Sequence, residues 1–279
     1  MEKQSNVTST PNPGWIPLSR SLLLMISRKQ LFGWSLALFL ITILLTWLGY
    51  LVTVDYIDNL TGSYMAIAPA TDTLWGWVKY TGWQLGQWLF LIVSRIVAFY
   101  LAFLIAYTLT TPGYAFLSAA AEKLHAGENF HADAGFSVAG VARDIFEGLK
   151  IAFFGIGVTV AALLVNFIPG LGQVAVVLLY TFYSALMFID YPASRRRWSL
   201  GKKLSWLRTH NGKALRIGLL PALISMIPLL NIFAVALLFP LLTIHATLNF
   251  SAIELAAKPL SKNNLAKGMP GGLFYGKRD

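Results

Sequence analysis

The chain has 279 residues, 56% of them hydrophobic and only 12% charged, with a mean hydropathy of +0.62. Soluble domains carry about 25% charged residues, so an ordinary water-soluble globule is excluded; the apolar residues fall in long blocks, as an integral membrane protein requires. Twenty-two Lys and Arg against twelve Asp and Glu give a net charge of +10, which beside apolar blocks points to topology setting and lipid headgroups rather than nucleic acid. Without a cysteine there is no disulfide framework, thiol nucleophile or Cys-ligated metal, and four dispersed histidines speak against a zinc site.

Residues 1–18 are polar and proline-rich, with Pro11, Pro13 and Pro17, and are expected to form a flexible segment. Residues 19–30 mix Leu22, Leu23, Leu24, Met25 and Ile26 with Arg20, Arg28 and Lys29, the pattern of a short interfacial helix leading into the bilayer. Residues 31–54 then run without a charge, long enough for a transmembrane helix, which needs about 20 apolar residues. This block starts too late and runs too long for a cleaved signal peptide, so it is expected to stay as an anchor.

The 55–82 loop carries three acids and one lysine, with Trp75 and Trp77 placed as an interfacial aromatic belt places them. Residues 83–109 form a second span interrupted only by Arg95. Residues 112–150 turn amphipathic: Val138, Val141, Ile145 and Leu149 fall near helical spacing, with Arg143, Asp144, Glu147 and Lys150 on the other side. A pairing of Arg143 with Glu147 is expected there.

Between 151 and 250 the chain repeats itself. An apolar arm, 151–168, leads to Pro169-Gly170-Leu171-Gly172, and 173–189 returns; a second arm, 214–227, leads to Pro228-Leu229-Leu230-Asn231, and 232–249 returns. These arms are at or below the comfortable spanning length, since a helix of the shortest arm's length reaches only about 21 Å against a hydrocarbon core of about 30 Å. The pattern fits two re-entrant helical hairpins, at 151–189 and 214–249, or ordinary spans in their place. Lys and Arg crowd the N-terminal flank, the linker between the hairpins and the tail, so the termini and that linker are expected on the cytoplasmic side.

An oxyanion entering a membrane needs donors that replace its hydration shell. Arg28 and Lys29, ahead of a long helix, are candidates, or else anchors snorkelling to headgroups. The turn at Gly170, Leu171 and Gly172 opens a helix whose first N–H groups are candidate donors, and Gln173 and Asn231 add side-chain amides. The alternative is a tight turn that satisfies its own backbone. Arg95, inside an apolar run, is a candidate by virtue of its position, while His245 reads as a hydrogen-bonded packing residue and Arg195-Arg196-Arg197 as an interfacial anchor. No nucleophile–His–acid set or phosphate loop is present, so neither an enzyme nor a cofactor is expected.

The segments Phe167-Ile168-Pro169-Gly170-Leu171-Gly172-Gln173, Asp190-Tyr191-Pro192 and Met226-Ile227-Pro228-Leu229-Leu230-Asn231, with Thr111-Pro112 followed by a helix ending at Ala126-Gly127, resemble the CysZ sulfate permeases of the etoposide-induced protein 2.4 superfamily over about residues 20–250. The resemblance implies an all-α integral membrane protein of the bacterial inner membrane. It implies two long transmembrane helices, two re-entrant hairpins and interfacial amphipathic helices, forming one domain over 19–250 followed by a flexible basic tail at 251–279. It also implies a homo-oligomer in contact with membrane lipids that passes sulfate. The family's Pro-Gly-aliphatic-Arg-Arg element is matched here by Lys29-Gln30-Leu31-Phe32-Gly33, without the paired arginines. The expected function is therefore a permease or channel for sulfate or a related small oxyanion, or alternatively a non-transporting membrane scaffold or regulatory protein of the same fold.

Overall fold

The computed structural model describes residues 14–65, 67–127, 130, 138–227 and 230–257, and of 63–65, 138–145, 230–232, 235 and 257 the backbone alone. Every regular element among them is helical: α1 (Leu18–Ser27), α2 (Lys29–Met65), α3 (Leu74–Ala126), α4 (Val138–Val165), α5 (Leu171–Arg195), α6 (Leu200–Thr209), α7 (Asn211–Ser225) and α8 (Leu230–Ala257). Five stretches among the described residues are long and apolar enough to cross a membrane: Lys29–Gly62, Leu74–Ala126, Phe146–Val165, Leu171–Arg195 and Ala236–Ala256. The chain is an all-α, multi-pass membrane protein.

α1 starts after Pro17, whose extended backbone (φ −68°, ψ 154°) suits the position before a helix, and stops at Arg28, also extended. That single residue turns the chain into α2. α2 and α3 form a long antiparallel pair joined by a seam of small residues. Ser94, Ala98, Ala102, Ala106 and Thr110 recur every fourth position of α3 and are all buried, which lets two backbones approach closely. A Cβ built on Gly49 lies 3.2 Å from that of Ala102, Thr42 and Thr110 meet through their hydroxyls at 3.5 Å, and Gly113 faces Leu38. By this register Lys29 falls level with Glu122, and the charge-free run 31–54 lies opposite a second one at 96–121.

The segment expected to follow the second span is not a separate element. α3 runs through Pro112 to Ala126 and ends at Gly127, whose φ of 54° closes the helix. A proline removes one intrahelical hydrogen bond, and hydroxyls reinforce the turns before it: Thr108, Thr110 and Thr111 donate to the carbonyls of Leu104, Ala106 and Tyr107. α3 nonetheless runs as one helix where apolarity and proline suggested two.

The repeat at 151–250 folds as two helical hairpins, α4–α5 and α7–α8. Gly170, with φ of 77°, makes the first turn, a conformation that costs glycine little. α7 has only 15 residues, a reach of about 22 Å, whereas α8 has 28. α7 lies against α5 where Gly218 faces the backbone at Thr181 and Ala185. α8 threads the centre of the molecule, its residues buried from Phe239 to Ser251. The Phe239 ring lies 4.6 Å from both Tyr107 and Tyr114 and 4.7 Å from Phe188, fastening α3, α5 and α8 to one another.

Both expected flexible ends carry ordered structure at their inner edges. Within 1–18, the Ile16 N–H donates to Asn249 Oδ1 at 2.9 Å and its carbonyl accepts from Asn249 Nδ2 at 3.1 Å. The reason is tertiary: a buried asparagine far along the chain offers one peptide both of its hydrogen bonds. Within 251–279, α8 continues to Ala257. Residues 1–13 and 258–279 lie outside the described residues.

Candidate functional site

The candidate anion contacts do not converge on one site. Arg28 and Lys29 stand exposed at the α1–α2 junction. Gly170, Leu171, Gly172 and Gln173 sit together at the tip of the first hairpin. There the N–H groups of Leu171 and Gly172 donate to the carbonyls of Pro169 and Ile168, at 2.9 and 2.8 Å, and Gln173 Nε2 donates to Asn166 Oδ1 at 2.9 Å. Asn231 opens α8, but its side chain lies outside the described residues, as do Pro228 and Leu229.

Arg95 is held in a bidentate ion pair with Asp58 (Nη1–Oδ1 2.9 Å, Nη2–Oδ2 2.8 Å), one turn before Phe99, whose ring lies 5.9 Å from that of Phe233 near the start of α8. Arg95 opens the charge-free run of α3, and Asp58 lies just beyond that of α2. Planar guanidinium and carboxylate match in geometry, and each cancels the other's charge at the point where two apolar helices meet.

The densest polar centre is one that the sequence did not single out. Glu122, 2% exposed, ends the charge-free run of α3 and accepts from Arg195 with one carboxylate oxygen and from Arg196 with the other. Arg195 also reaches Ser118 Oγ at 3.4 Å, and Ser118 shares a hydrogen bond of 2.8 Å with Thr247 of α8. Arg196 donates to the Pro192 carbonyl at 3.0 Å and stacks over Phe250. Beside it, the fully buried Lys203 donates to Asp190 Oδ1 at 2.5 Å and Ser194 Oγ at 2.9 Å. Buried charges persist only when paired and hydrogen-bonded, and this network ties α3, α5, α6 and α8 together.

Arg195 and Arg196 are therefore not the lipid-facing anchor expected of the triplet. They fold inward because a buried carboxylate on α3 awaits them, and Arg197 follows in a left-handed conformation with φ of 52°. A signal existed in the sequence, since Glu122 is the first acid after a long charge-free run, but nothing local names its partner. Glu147 pairs with Lys150 at 2.7 Å and accepts the Leu200 N–H at 2.8 Å, while the side chain of Arg143, its expected partner, lies outside the described residues. His245 is a packing residue, bonded to Ser21 at 3.0 Å and met edge-on by Trp15.

Comparison with known proteins places this architecture. The family described as sulfate transporter CysZ/etoposide-induced protein 2.4 matches residues 18–236, from the start of α1 into α8. A protein of Pseudomonas paraeruginosa (strain DSM 24068 / PA7) named "Sulfate transporter CysZ" is 25% identical over 172 residues, covering 60% of this chain and 68% of that protein. The motifs around the two hairpin turns pointed to the same family. This chain belongs to the sulfate transporter CysZ/etoposide-induced protein 2.4 family.

Proposed function

We propose that the protein is a permease for sulfate or a related small oxyanion in the bacterial inner membrane, working as a homo-oligomer with its termini cytoplasmic. The observation that carries this reading is the family match over residues 18–236, which takes in both long helices and the first hairpin. The inner ends of α2 and α3 supply chemistry that agrees with it. The family's paired arginines are missing at Phe32-Gly33, but Arg195 and Arg196 lie side by side on Glu122, level with Lys29. Two guanidinium groups bordered by Ser118 and Thr247 are the donor type that suits a tetrahedral oxyanion. Arg28 and Lys29 remain candidate contacts at the mouth, and Gly170, Leu171, Gly172, Gln173 and Asn231 candidates at the hairpin turns. Arg95 brings its own counter-ion in Asp58 and adds no net charge.

The length of α7 supports re-entry of the second hairpin. A helix reaching about 22 Å falls short of a hydrocarbon core of about 30 Å, the length expected of a re-entrant arm, and such an arm requires its turn to meet protein or a watery path. Because the chain has no cysteine, single cysteines at Gly170 and Leu230 report on this directly. A cysteine at Leu230 is expected to resist an impermeant thiol reagent added outside intact cells, strong labelling there meaning full spans; at Gly170, between two arms each long enough to cross, the same reagent distinguishes a spanning first hairpin from a re-entrant one.

The deciding experiment is uptake of labelled sulfate into proteoliposomes, with selenate, molybdate and phosphate as competitors. Saturable uptake blocked by a tetrahedral oxyanion is expected. Its absence in folded, inserted protein overturns the permease in favour of a non-transporting scaffold of the same fold, a reading that the missing arginine pair also favours. Restoring that pair is sterically open, since Phe32 is 45% exposed and a Cβ at Gly33 meets nothing within 4 Å. F32R/G33R is expected to raise sulfate uptake at low concentration several-fold, with unchanged uptake meaning that this element does not set activity here.

A further inference from the structure

The α2–α3 pair is longer than the membrane it crosses. Its two charge-free runs, 31–54 and 96–121, reach about 36 and 39 Å and more than cover a hydrocarbon core of about 30 Å. At the end far from Lys29 and Glu122, the paired Asp58 and Arg95 close those runs. α3 begins at Leu74, so about 30 Å of helix precedes Arg95. A headgroup layer adds only about 5–8 Å to the core, and this stretch therefore stands mostly in water.

Water is the wrong surrounding for the side chains it exposes. Val78, Gly82, Leu85, Leu89, Ile92 and Ile96 recur at alternating steps of four and three, the a/d period of a coiled coil. The side chains among them are 41–66% exposed, and the exposed Trp75 continues the series. Leu85 and Leu89 lie about 15 and 9 Å beyond Arg95 along the helix, clear of the lipid tails. The other side of α3 is occupied: Tyr80, Trp83, Gln87, Phe90 and Ser94 line the cleft that α3 forms with Asp58, Thr61 and Gly62 of α2, beside the ion pair. A contiguous apolar strip held in water marks a protein interface.

We propose that this strip is the contact surface between two copies of the chain, α3 against α3 in parallel across a two-fold axis normal to the membrane. The pairing rests on the homo-oligomer proposed above and gives it a surface. Two copies inserted the same way present parallel helices, and a two-fold axis sets each seam residue against itself, Leu85 on Leu85 and Leu89 on Leu89. The charges permit it. The seam carries none, Lys79 falls across from Leu74, and Arg95 keeps Asp58 as its counter-ion, so no like charges meet. Gly82 on the seam and Gly86 beside it have nothing within 4 Å of an added Cβ, which leaves room for a second backbone to come close. With Trp75 and Trp88 at its edges, the strip offers on the order of 800 Å² to a partner, the share of each side in a standard stable interface.

Oxidative cross-linking tests the contact, since the chain has no cysteine of its own. A disulfide forms only between Cα atoms within about 7 Å, so in membranes treated with copper phenanthroline L85C and L89C are each expected to give about ten-fold more linked dimer than Q84C. Gln84 is exposed but lies off the strip. L85E/L89E changes nothing that is packed within one copy; it is expected to insert, to melt within a few degrees of wild type, and to be monomeric by light scattering where wild type is oligomeric. Linking of L85C and L89C no better than that of Q84C overturns the proposal, as does an L85E/L89E protein that keeps the wild-type assembly. Failure of L85E/L89E to enter the membrane also overturns it, because the strip would then face lipid tails. A monomeric wild type overturns it together with the homo-oligomer, whereas an oligomer without these cross-links removes this surface alone. None of these readouts involves sulfate, so the contact is judged apart from the permease.

Discussion

Glu122→Ala is expected to destabilise the protein more than any other single change in its polar residues, by about 3–5 kcal/mol, the cost of breaking a buried ion pair from one side. The carboxylate is 98% sequestered and holds both Arg195 and Arg196. Its loss removes the carboxylate shared by two guanidinium groups whose side chains are 9% and 17% exposed. The penalty comes from uncompensated charge rather than from lost attraction, because removing both charges from water already offsets much of what the pair gains. The triple variant E122A/R195M/R196M is therefore expected to recover at least half of the lost thermal stability. Thermal unfolding in detergent, followed by circular dichroism, checks both. A triple variant as unstable as Glu122→Ala would show that the hydrogen bonds to Ser118 and Pro192 and the stacking on Phe250 matter more than charge balance.

Gly218→Ala is the second large effect. The added methyl group meets the Thr181 carbonyl oxygen and lies 2.8 Å from the Ala185 nitrogen. Both neighbours are backbone atoms of α5, which no rotamer change moves aside. Overpacking costs about 1–3 kcal/mol, and the upper end is expected here because relief requires α7 to move off α5. Gly33→Ala is the matched control. It adds the same methyl group within α2 where nothing lies within 4 Å, and replacing a helical glycine by alanine gains up to about 1 kcal/mol. Size-exclusion profiles and melting temperatures of the two variants are expected to move in opposite directions.

Much of the architecture was legible in the chain itself, for reasons that particular residues show. A charge-free run such as 31–54 admits few structures, because only a helix satisfies its own backbone in hydrocarbon. Pro169-Gly170 had to be a turn, since glycine takes the positive φ required there and proline breaks the preceding arm. The repeated hairpins and the family's turn motifs emerged from the same local chemistry. The path of α3 through Pro112 was harder to read, because a proline more often marks a break than sits inside a continuous helix.

The polar centres were not legible, and the reason is distance along the chain. Arg195-Arg196-Arg197 beside an apolar helix looks the same whether it faces headgroups or a buried acid. Only the packing of α5 against α3 brings Glu122, more than seventy residues earlier, under two of the three. Arg95 announced itself as an ionisable residue in an apolar run, but Asp58 became its partner only through the α2–α3 register. Asn249 likewise found Ile16 across 233 positions.

The sequence by itself determined the membrane class, the helical content, the turns and the family, because hydropathy, helix length and turn conformation are local properties of consecutive residues. The tertiary structure alone decided which charges pair, which glycines another backbone crowds, and where a cleft opens beside an ion pair. Those outcomes depend on the register between helices, which is set by small-residue seams and buried contacts between residues far apart in the chain.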